Sequence, residues 1–129
     1  MTGFQIEQVE PGIFLTQYQE MVTTTIFREA TLARVKLADE LKLLHYVLVV
    51  DYSQTVVNNS TFNLRLNAWS VNLDPRMEYT IIISKQMLVR TAVNLLRNLV
   101  KIKLEFAKDR EVALKRAREV HTNVTSPVG

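Results

Sequence analysis

The chain contains no cysteine, only three glycines and three prolines, and no long apolar run. The absence of cysteine excludes disulfides, thiolate zinc sites and cysteine nucleophiles. The glycines are Gly3, Gly12 and Gly129, so no glycine-rich phosphate loop joins a strand to a helix, which argues against a nucleotide enzyme. The longest apolar run, Tyr46 to Val50, is far shorter than the roughly 20 residues that span a bilayer. We therefore expect no membrane insertion.

The composition is that of an ordinary globular protein. The 129 residues suit one domain, and 47% apolar with 22% charged residues is typical of a folded core rather than a disordered chain. The first ten residues lack the basic patch and apolar segment of a secretory signal, so the expected location is the cytoplasm. We expect a single domain over residues 1–121 and a flexible tail over residues 122–129.

Charge is distributed unevenly along the chain. Residues 1–84 contain 6 basic and 9 acidic side chains, whereas residues 85–129 contain 10 basic and 4 acidic ones. Such a split can mark a nucleic-acid interface, but these basic residues are dispersed and lack aromatic stacking partners. The pattern favours a solvated helix surface. The candidate nucleic-acid contacts are Arg90, Arg97, Lys101, Lys115, Arg116 and Arg118.

The first third of the chain shows two different apolar periods. Two β-like runs are separated by Glu10-Pro11-Gly12, a sequence typical of a tight turn. Alternating apolar and polar residues in both runs predict a β-hairpin with one buried face and one largely solvated face. From about Thr24 the apolar residues follow helical spacing, which predicts a long helix. Its apolar stripe consists of Ile26, Ala30, Ala33, Leu37, Leu41 and Leu44.

Three further strands are predicted. Tyr46 to Val50 and Tyr79 to Ile83 are short, continuous runs rich in β-branched residues, as expected of parallel strands buried on both faces. Leu104 and Phe106 alternate with charged residues, which predicts a half-exposed strand near the edge of the sheet.

Helices are predicted between these strands and after the last one. Apolar residues at helical spacing predict helices from near Ser60 to Leu73 and from Leu88 to Ile102. Asp109 is the expected N-cap of a final helix. The predicted order is β-β-α-β-α-β-α-β-α, an α/β fold with a single mixed sheet flanked by helices.

This order of elements resembles the STAS domain, the SpoIIAA-like fold of anti-sigma factor antagonists and of the cytosolic tails of sulfate transporters. Residues 47–53 resemble the family's central strand ending in Asp-Leu-Ser, and residues 77–84 resemble its next buried strand. Residues 106–114 resemble its last strand running into a helix. Residues 69–99 are similar to an uncharacterised bacterial family of free-standing STAS-like proteins. The resemblance implies a non-enzymatic module that works by docking.

Ser60 and Thr61 fall where the resemblance implies a regulatory site. In phosphorylatable STAS proteins a serine lies at the start of the second helix, beside an acidic residue and a glycine. Here Asn59 and Phe62 stand at those neighbouring positions. A phosphate at a helix N-terminus is favoured by free N–H groups and the helix dipole. Both a phospho-switch site and a simple N-cap fit Ser60 and Thr61.

Asp51 closes a buried strand, at the edge where ligand sites form in open α/β sheets. We expect it to accept hydrogen bonds from backbone N–H groups of the following loop rather than to act as a general base. Ser53 is expected near the same edge. The two histidines, His45 and His121, are not expected to reach it. No catalytic, cofactor-binding or metal site is therefore predicted.

Trp69 offers the remaining functional signal. It falls on the apolar stripe of the predicted second helix, which favours core packing. Leu64 and Val71 lie off that stripe, and the loop before the helix is also apolar, so this region fits a partner or dimer surface as well.

The leading hypothesis is a non-enzymatic bacterial STAS-like interaction or regulatory module that binds another protein or a second copy of itself. Its expected interaction or phospho-switch site consists of Asp51, Ser53, Ser60, Thr61 and Trp69. One alternative is a carrier of a small apolar, lipid-like ligand, in a pocket lined by Leu66, Trp69, Leu88 and Ala92. Nucleic-acid binding through the basic C-terminal half is a weaker alternative.

Overall fold

The structure, a computed structural model, describes residues 3–19, 24–53, 76–84 and 103–125. Its elements are β1 (Phe4–Glu10), β2 (Ile13–Tyr18), α1 (Thr24–Glu40), β3 (Tyr46–Asp51), β4 (Met77–Ile83), β5 (Leu104–Ala107) and α2 (Arg110–Thr125). The strands form one mixed sheet in the order β1-β2-β3-β4-β5. β1 and β2 are antiparallel, and every later neighbouring pair is parallel. The predicted mixed α/β sheet is confirmed.

The turn between β1 and β2 depends on Gly12. Its φ of 79° lies in the left-handed region that favours glycine, and its N–H donates to Gln8 Oε1 at 3.0 Å. The ring of His121, from α2, lies over the turn, so a Cβ at position 12 would lie 2.6 Å from its Nε2. The predicted hairpin is confirmed, and its tip is closed by the helix at the other end of the chain.

β2 is buried on both faces, and the prediction of a largely solvated face was wrong for this strand. Ile13 and Leu15 pack in the cluster that includes α2, whereas Phe14 and Tyr18 pack in the cluster that includes α1. The reason is its place in the sheet. β2 lies between β1 and β3, and an apolar layer covers each side.

Small residues let both helices approach the sheet closely. Ala30 and Ala38 of α1 are buried against one face, and Ala113 and Ala117 of α2 are buried against the other. Between these layers β3 is buried along its whole length, as is β4 from residue 80 to 83. The two predicted buried strands are therefore confirmed.

α1 ends at Glu40 in a turn that closes its last carbonyl groups. Lys42 has a φ of 54°, and its N–H donates to the Asp39 carbonyl oxygen at 3.1 Å. The N–H of Leu43 donates to the Ala38 carbonyl oxygen at 3.1 Å. These two bonds, together with the left-handed conformation of Lys42, form a Schellman motif.

The predicted apolar stripe of α1 was wrong at its C-terminal end. Leu41 and Leu44 lie beyond the helix and are 39% and 79% exposed, respectively. Leu43, which the helical spacing omitted, packs against the core instead. The Schellman turn reverses the chain direction after Glu40, so the helical period no longer decides which side chain points inward.

The last strand, β5, and the helix that follows it, α2, form the C-terminal part of the described chain. Among the strands that the structure describes, β5 lies at the end of the sheet beside β4, which confirms the predicted edge strand. α2 continues to Thr125, so the first residues of the predicted tail, 122–125, are helical. The helices predicted from Ser60 to Leu73 and from Leu88 to Ile102 lie outside the described residues.

Candidate functional site at the carboxyl edge of the sheet

Asp51 is the last residue of β3 and is buried at the carboxyl edge of the parallel strands. Its Oδ1 accepts a hydrogen bond from the backbone N–H of Ser53 at 2.8 Å. This contact confirms the prediction that Asp51 satisfies the backbone of the following loop. An aspartate that bonds two residues ahead fixes the direction in which the chain leaves the strand.

The second oxygen of Asp51 connects β3 to α2. Oδ2 accepts a hydrogen bond from Arg110 Nη2 at 3.0 Å, and the two side chains form an ion pair. The Asp51 side chain is only 5% exposed, whereas that of Arg110 is 45% exposed. The pair therefore reaches from a buried strand end to the protein surface.

The environment of Asp51 keeps its carboxylate charged. Burial raises the pKa of Asp51, but hydrogen bonds from the Ser53 side chain and backbone, followed by the Arg110 guanidinium, outweigh it. The pKa consequently lies below its ordinary value of 3.8. A carboxylate held in this way is a poor general base at neutral pH, so its contacts indicate a positioning role.

The start of α2 fixes Arg110 in place. Asp109 Oδ1 accepts a hydrogen bond from the Val112 N–H at 2.9 Å, which confirms the predicted N-cap. The Asp109 carbonyl oxygen accepts the Ala113 N–H at 3.1 Å and begins the helical ladder. Because the cap defines where the helix starts, Arg110 occupies its first position and faces Asp51.

These residues surround a surface cleft of about 330 Å³, which we call the carboxyl-edge cleft. The strand register explains its position. Asp51 pairs with Ile83, and Ile83 pairs with Ala107, so three neighbouring strands end in one row. The chain segments that follow meet around this row. The cleft is lined by Gln17, Asp51, Ser53, Ile83, Lys108, Asp109 and Arg110.

The carboxyl-edge cleft is suited to recognition of a polar surface. Ser53, Lys108, Asp109 and Arg110 are exposed, and their hydroxyl, ammonium, carboxylate and guanidinium groups offer both donors and acceptors. In the described part of the chain, no group of three or more His, Cys, Asp or Glu side chains is placed to hold a metal ion. The cleft thus presents charged groups of both signs around a buried carboxylate.

The structure places two of the five predicted site residues in this cleft. Asp51 and Ser53 lie together as expected, whereas Ser60, Thr61 and Trp69 lie outside the described residues. So does the pocket predicted for an apolar ligand, which is lined by Leu66, Trp69, Leu88 and Ala92.

Arg110 and Lys108 are site residues that the sequence did not single out. For Arg110 the available signal was its position directly after the predicted N-cap Asp109, at the start of a helix that follows an edge strand. Only the sheet order shows that this helix start reaches Asp51, two strands away.

The basic residues of α2 do not form a free cationic stripe. Arg116 pairs with Glu105 of β5 at 2.7 Å, and Arg118 pairs with Glu10 of β1 at 2.5 Å. These contacts fasten α2 to both edge strands. Lys115 is exposed on the same helix. Two of the three described candidates for nucleic-acid contact therefore already neutralise carboxylates.

Together these features define a class: a single mixed-sheet α/β module, with one helix layer described on each face and a polar cleft at the carboxyl edge. Within the described ranges, no helix has the length and apolar content needed to cross a membrane. No protein-family model and no curated protein sequence matches the chain.

Solved structures match the chain over most of its length. One is an uncharacterised protein of the DUF3478 family with a SpoIIAA-like fold from Shewanella loihica PV-4. It has 14% identity and a TM-score of 0.64, and the match covers 88% of this chain and 91% of that one.

Two anti-sigma factor antagonists also match. SpoIIAA in its unphosphorylated form has 13% identity and a TM-score of 0.58, covering 89% of this chain and 97% of that one. An antagonist from Mycobacterium paratuberculosis has 9% identity and a TM-score of 0.54, covering 89% and 92%. The chain thus has the SpoIIAA-like, STAS-type fold, as the sequence resemblance implied.

Proposed function

We propose that this chain is a non-enzymatic regulatory module that binds another protein through the carboxyl-edge cleft. The observation that carries the proposal is the buried Asp51, which holds the loop after β3 and the start of α2 in one arrangement. Similarity in fold to two anti-sigma factor antagonists supports a regulatory, protein-binding role. The cytoplasmic location expected from the sequence is part of the same proposal.

The frame around Asp51 presents exposed groups at low entropic cost. Ser53 is positioned by its own N–H bond, and Arg110 is positioned by the ion pair and by the Asp109 cap. Binding then does not have to order these segments, which is the main advantage of a preorganised surface. Lys108 is exposed beside them and supplies a charge that steers an acidic partner toward the cleft.

The proposed surface continues into the segment that follows Ser53. Ser60 and Thr61 are proposed as its regulatory positions, because a phosphate there would add negative charge near the exposed Lys108 and repel an acidic partner. Trp69 is proposed as an apolar anchor on the helix that the sequence predicts from near Ser60. A Ser60→Asp variant should therefore bind the partner less tightly than the wild type.

The partner is sought by affinity capture from native lysate and then purified, so that binding is measured between two defined proteins. Lys108→Glu should weaken the affinity about tenfold or more, because it reverses a rim charge. Lys115→Glu is the matched control, since Lys115 is exposed on α2 but does not line the cleft. Equal affinities of Lys108→Glu, Lys115→Glu and the wild type would exclude this surface.

Self-association is a separate outcome of the same proposal. If the partner is a second copy of the chain, light scattering should show a dimer that Lys108→Glu dissociates and Lys115→Glu leaves intact. A dimer unaffected by Lys108→Glu would use some other surface.

A further inference from the structure

A row of paired residues crosses the described sheet at its carboxyl edge. Gln5 of β1 pairs with Gln17 of β2, and Gln17 pairs with Asp51 of β3. From Asp51 the row continues through Ile83 of β4 to Ala107 of β5. Directly paired residues point their side chains to the same face of a sheet, and here it is the face on which α2 packs. The row spans four strand spacings, about 19 Å.

A second surface depression, of about 350 Å³, lies over the β1 end of this row. It is lined by Gln5, Ile6, Glu7, Leu15 and Gln17. Gln17 also lines the carboxyl-edge cleft, so the two depressions meet at this residue. We call the two together the cross-sheet groove. Gln5 and Glu7 are exposed, which leaves the β1 end of the groove open to solvent.

The two ends of the cross-sheet groove carry opposite charges. At the β5 end Lys108 is exposed and forms no ion pair with a described residue. The carboxylates beside it are engaged, since Asp51 pairs with Arg110 and Asp109 caps α2. At the β1 end Glu7 is exposed and likewise lacks an ion pair within the described ranges. A peptide lying along the groove would therefore meet a cation at one end and an anion at the other.

Between the charged ends the groove offers groups that match the backbone of a peptide. The side-chain amides of Gln5 and Gln17 each supply hydrogen-bond donors and an acceptor, as a peptide unit does. Ile83 adds an apolar floor beside them. An extended chain advances about 3.3 Å per residue, so about six residues span the row.

We propose that the cross-sheet groove binds an extended segment of the partner protein, with an acidic residue at the Lys108 end and a basic residue at the Glu7 end. This inference rests on the proposed function, because the carboxyl-edge cleft forms one end of the groove. It adds the kind of segment that the partner presents and a second contact region on β1. Opposite charges at the two ends fix the direction in which the segment lies.

The probe is a displayed library of random linear peptides of about nine residues, long enough to span the row, selected on the immobilised full chain. Selected peptides should carry an acidic and a basic residue about five or six positions apart. One of them, synthesised with a fluorescent label, should bind the wild type in an anisotropy titration. Glu7→Lys and Lys108→Glu should each weaken its affinity about tenfold or more, because each reverses a contacting charge. Glu29→Lys is the matched control, since Glu29 is exposed on α1, on the other face of the sheet.

A compensating peptide separates a charge contact from a structural effect of the substitution. Replacing the basic residue of the peptide by glutamate should restore its affinity for Glu7→Lys. If Lys108→Glu weakens binding and Glu7→Lys does not, the inference is wrong while the carboxyl-edge cleft remains a binding site. The inference is also overturned if the library yields no binding peptide, or if neither variant differs from Glu29→Lys. The affinity of Lys108→Glu for the purified partner then decides on the proposed function separately.

Discussion

One aspartate–arginine pair lies at the amino edge of the sheet, where the parallel strands begin, and another lies at the carboxyl edge, where they end. The two pairs differ in how far their carboxylates are exposed to water. At the amino edge Asp39 pairs with Arg76 at 2.6 Å, and the Asp39 side chain is 65% exposed. At the carboxyl edge Asp51 pairs with Arg110 at 3.0 Å, and the Asp51 side chain is 5% exposed. The longer contact belongs to the pair whose carboxylate is buried. We expect burial of the carboxylate, more than distance, to decide how much each pair contributes, because water screens the exposed Asp39.

The comparison also explains why the carboxyl edge is the candidate site. The pair at the amino edge connects the end of α1 to the start of β4, and its carboxylate lies mostly in water. The buried pair at the carboxyl edge is connected through Asp51 to the Ser53 backbone, so disturbing it moves a loop and a helix start together. A rigid edge with exposed polar groups is the better frame for recognition.

Removing each aspartate should give the largest difference between the two edges. Asp51→Ala should lower the free energy of unfolding by about 2 kcal/mol, because it removes the charged acceptor of the Ser53 N–H and Arg110 hydrogen bonds. Asp39→Ala should cost less than about 1 kcal/mol, as expected of a solvent-exposed pair. Urea denaturation of both variants checks this. Similar losses at the two edges would show that burial does not separate the pairs.

Acid should weaken the carboxyl edge in a way that depends on Asp51. Because the folded-state pKa of Asp51 is below its unfolded value, its contribution to stability is present above the unfolded pKa, about 3.9. That contribution is lost as the pH falls through the lower, folded-state pKa. The stability advantage of the wild type over Asp51→Asn should thus be constant from pH 7 to about pH 5 and shrink below about pH 4. Urea titrations across this range measure the stability difference. A difference that grows in acid would contradict a lowered pKa of Asp51.

At the amino edge, one substitution should raise the stability of the protein. Lys42 adopts a left-handed conformation in the Schellman turn, which costs a side-chain-bearing residue free energy that glycine avoids. Lys42→Gly should therefore raise the free energy of unfolding by about 0.5–1 kcal/mol. Lys36→Gly, inside α1, should lower it by about 1 kcal/mol. Thermal unfolding separates the two, and a loss of stability in Lys42→Gly would contradict the described turn.

Local patterns predicted the sheet well because each strand carries its own periodicity. The unbroken apolar run in β3 and the Pro11-Gly12 turn depend on neighbouring residues only, and both were confirmed. The C-terminal end of α1 was not predicted, because a lysine occupies the left-handed position where a glycine would have marked the helix end. Without that signal, helical spacing extended the predicted apolar stripe through Leu41 and Leu44.

Only those contacts of the candidate site that join residues close in sequence could be predicted. Asp51 and Ser53 are two residues apart, and the tendency of aspartate to bond the backbone just ahead of it is a local rule. The Asp51–Arg110 contact joins residues 59 positions apart in the chain. It depends on β4 lying between β3 and β5, which no spacing of residue types encodes.

The most direct test of the account is hydrogen–deuterium exchange of the chain with and without its purified partner. If the carboxyl-edge cleft is the binding surface, backbone amides of residues 51–53 and 108–113 should exchange more slowly in the complex. Amides at the amino edge, residues 39–44 and 76, should be unchanged and serve as the internal control. Slower exchange at the amino edge, with none at the carboxyl edge, would contradict the account.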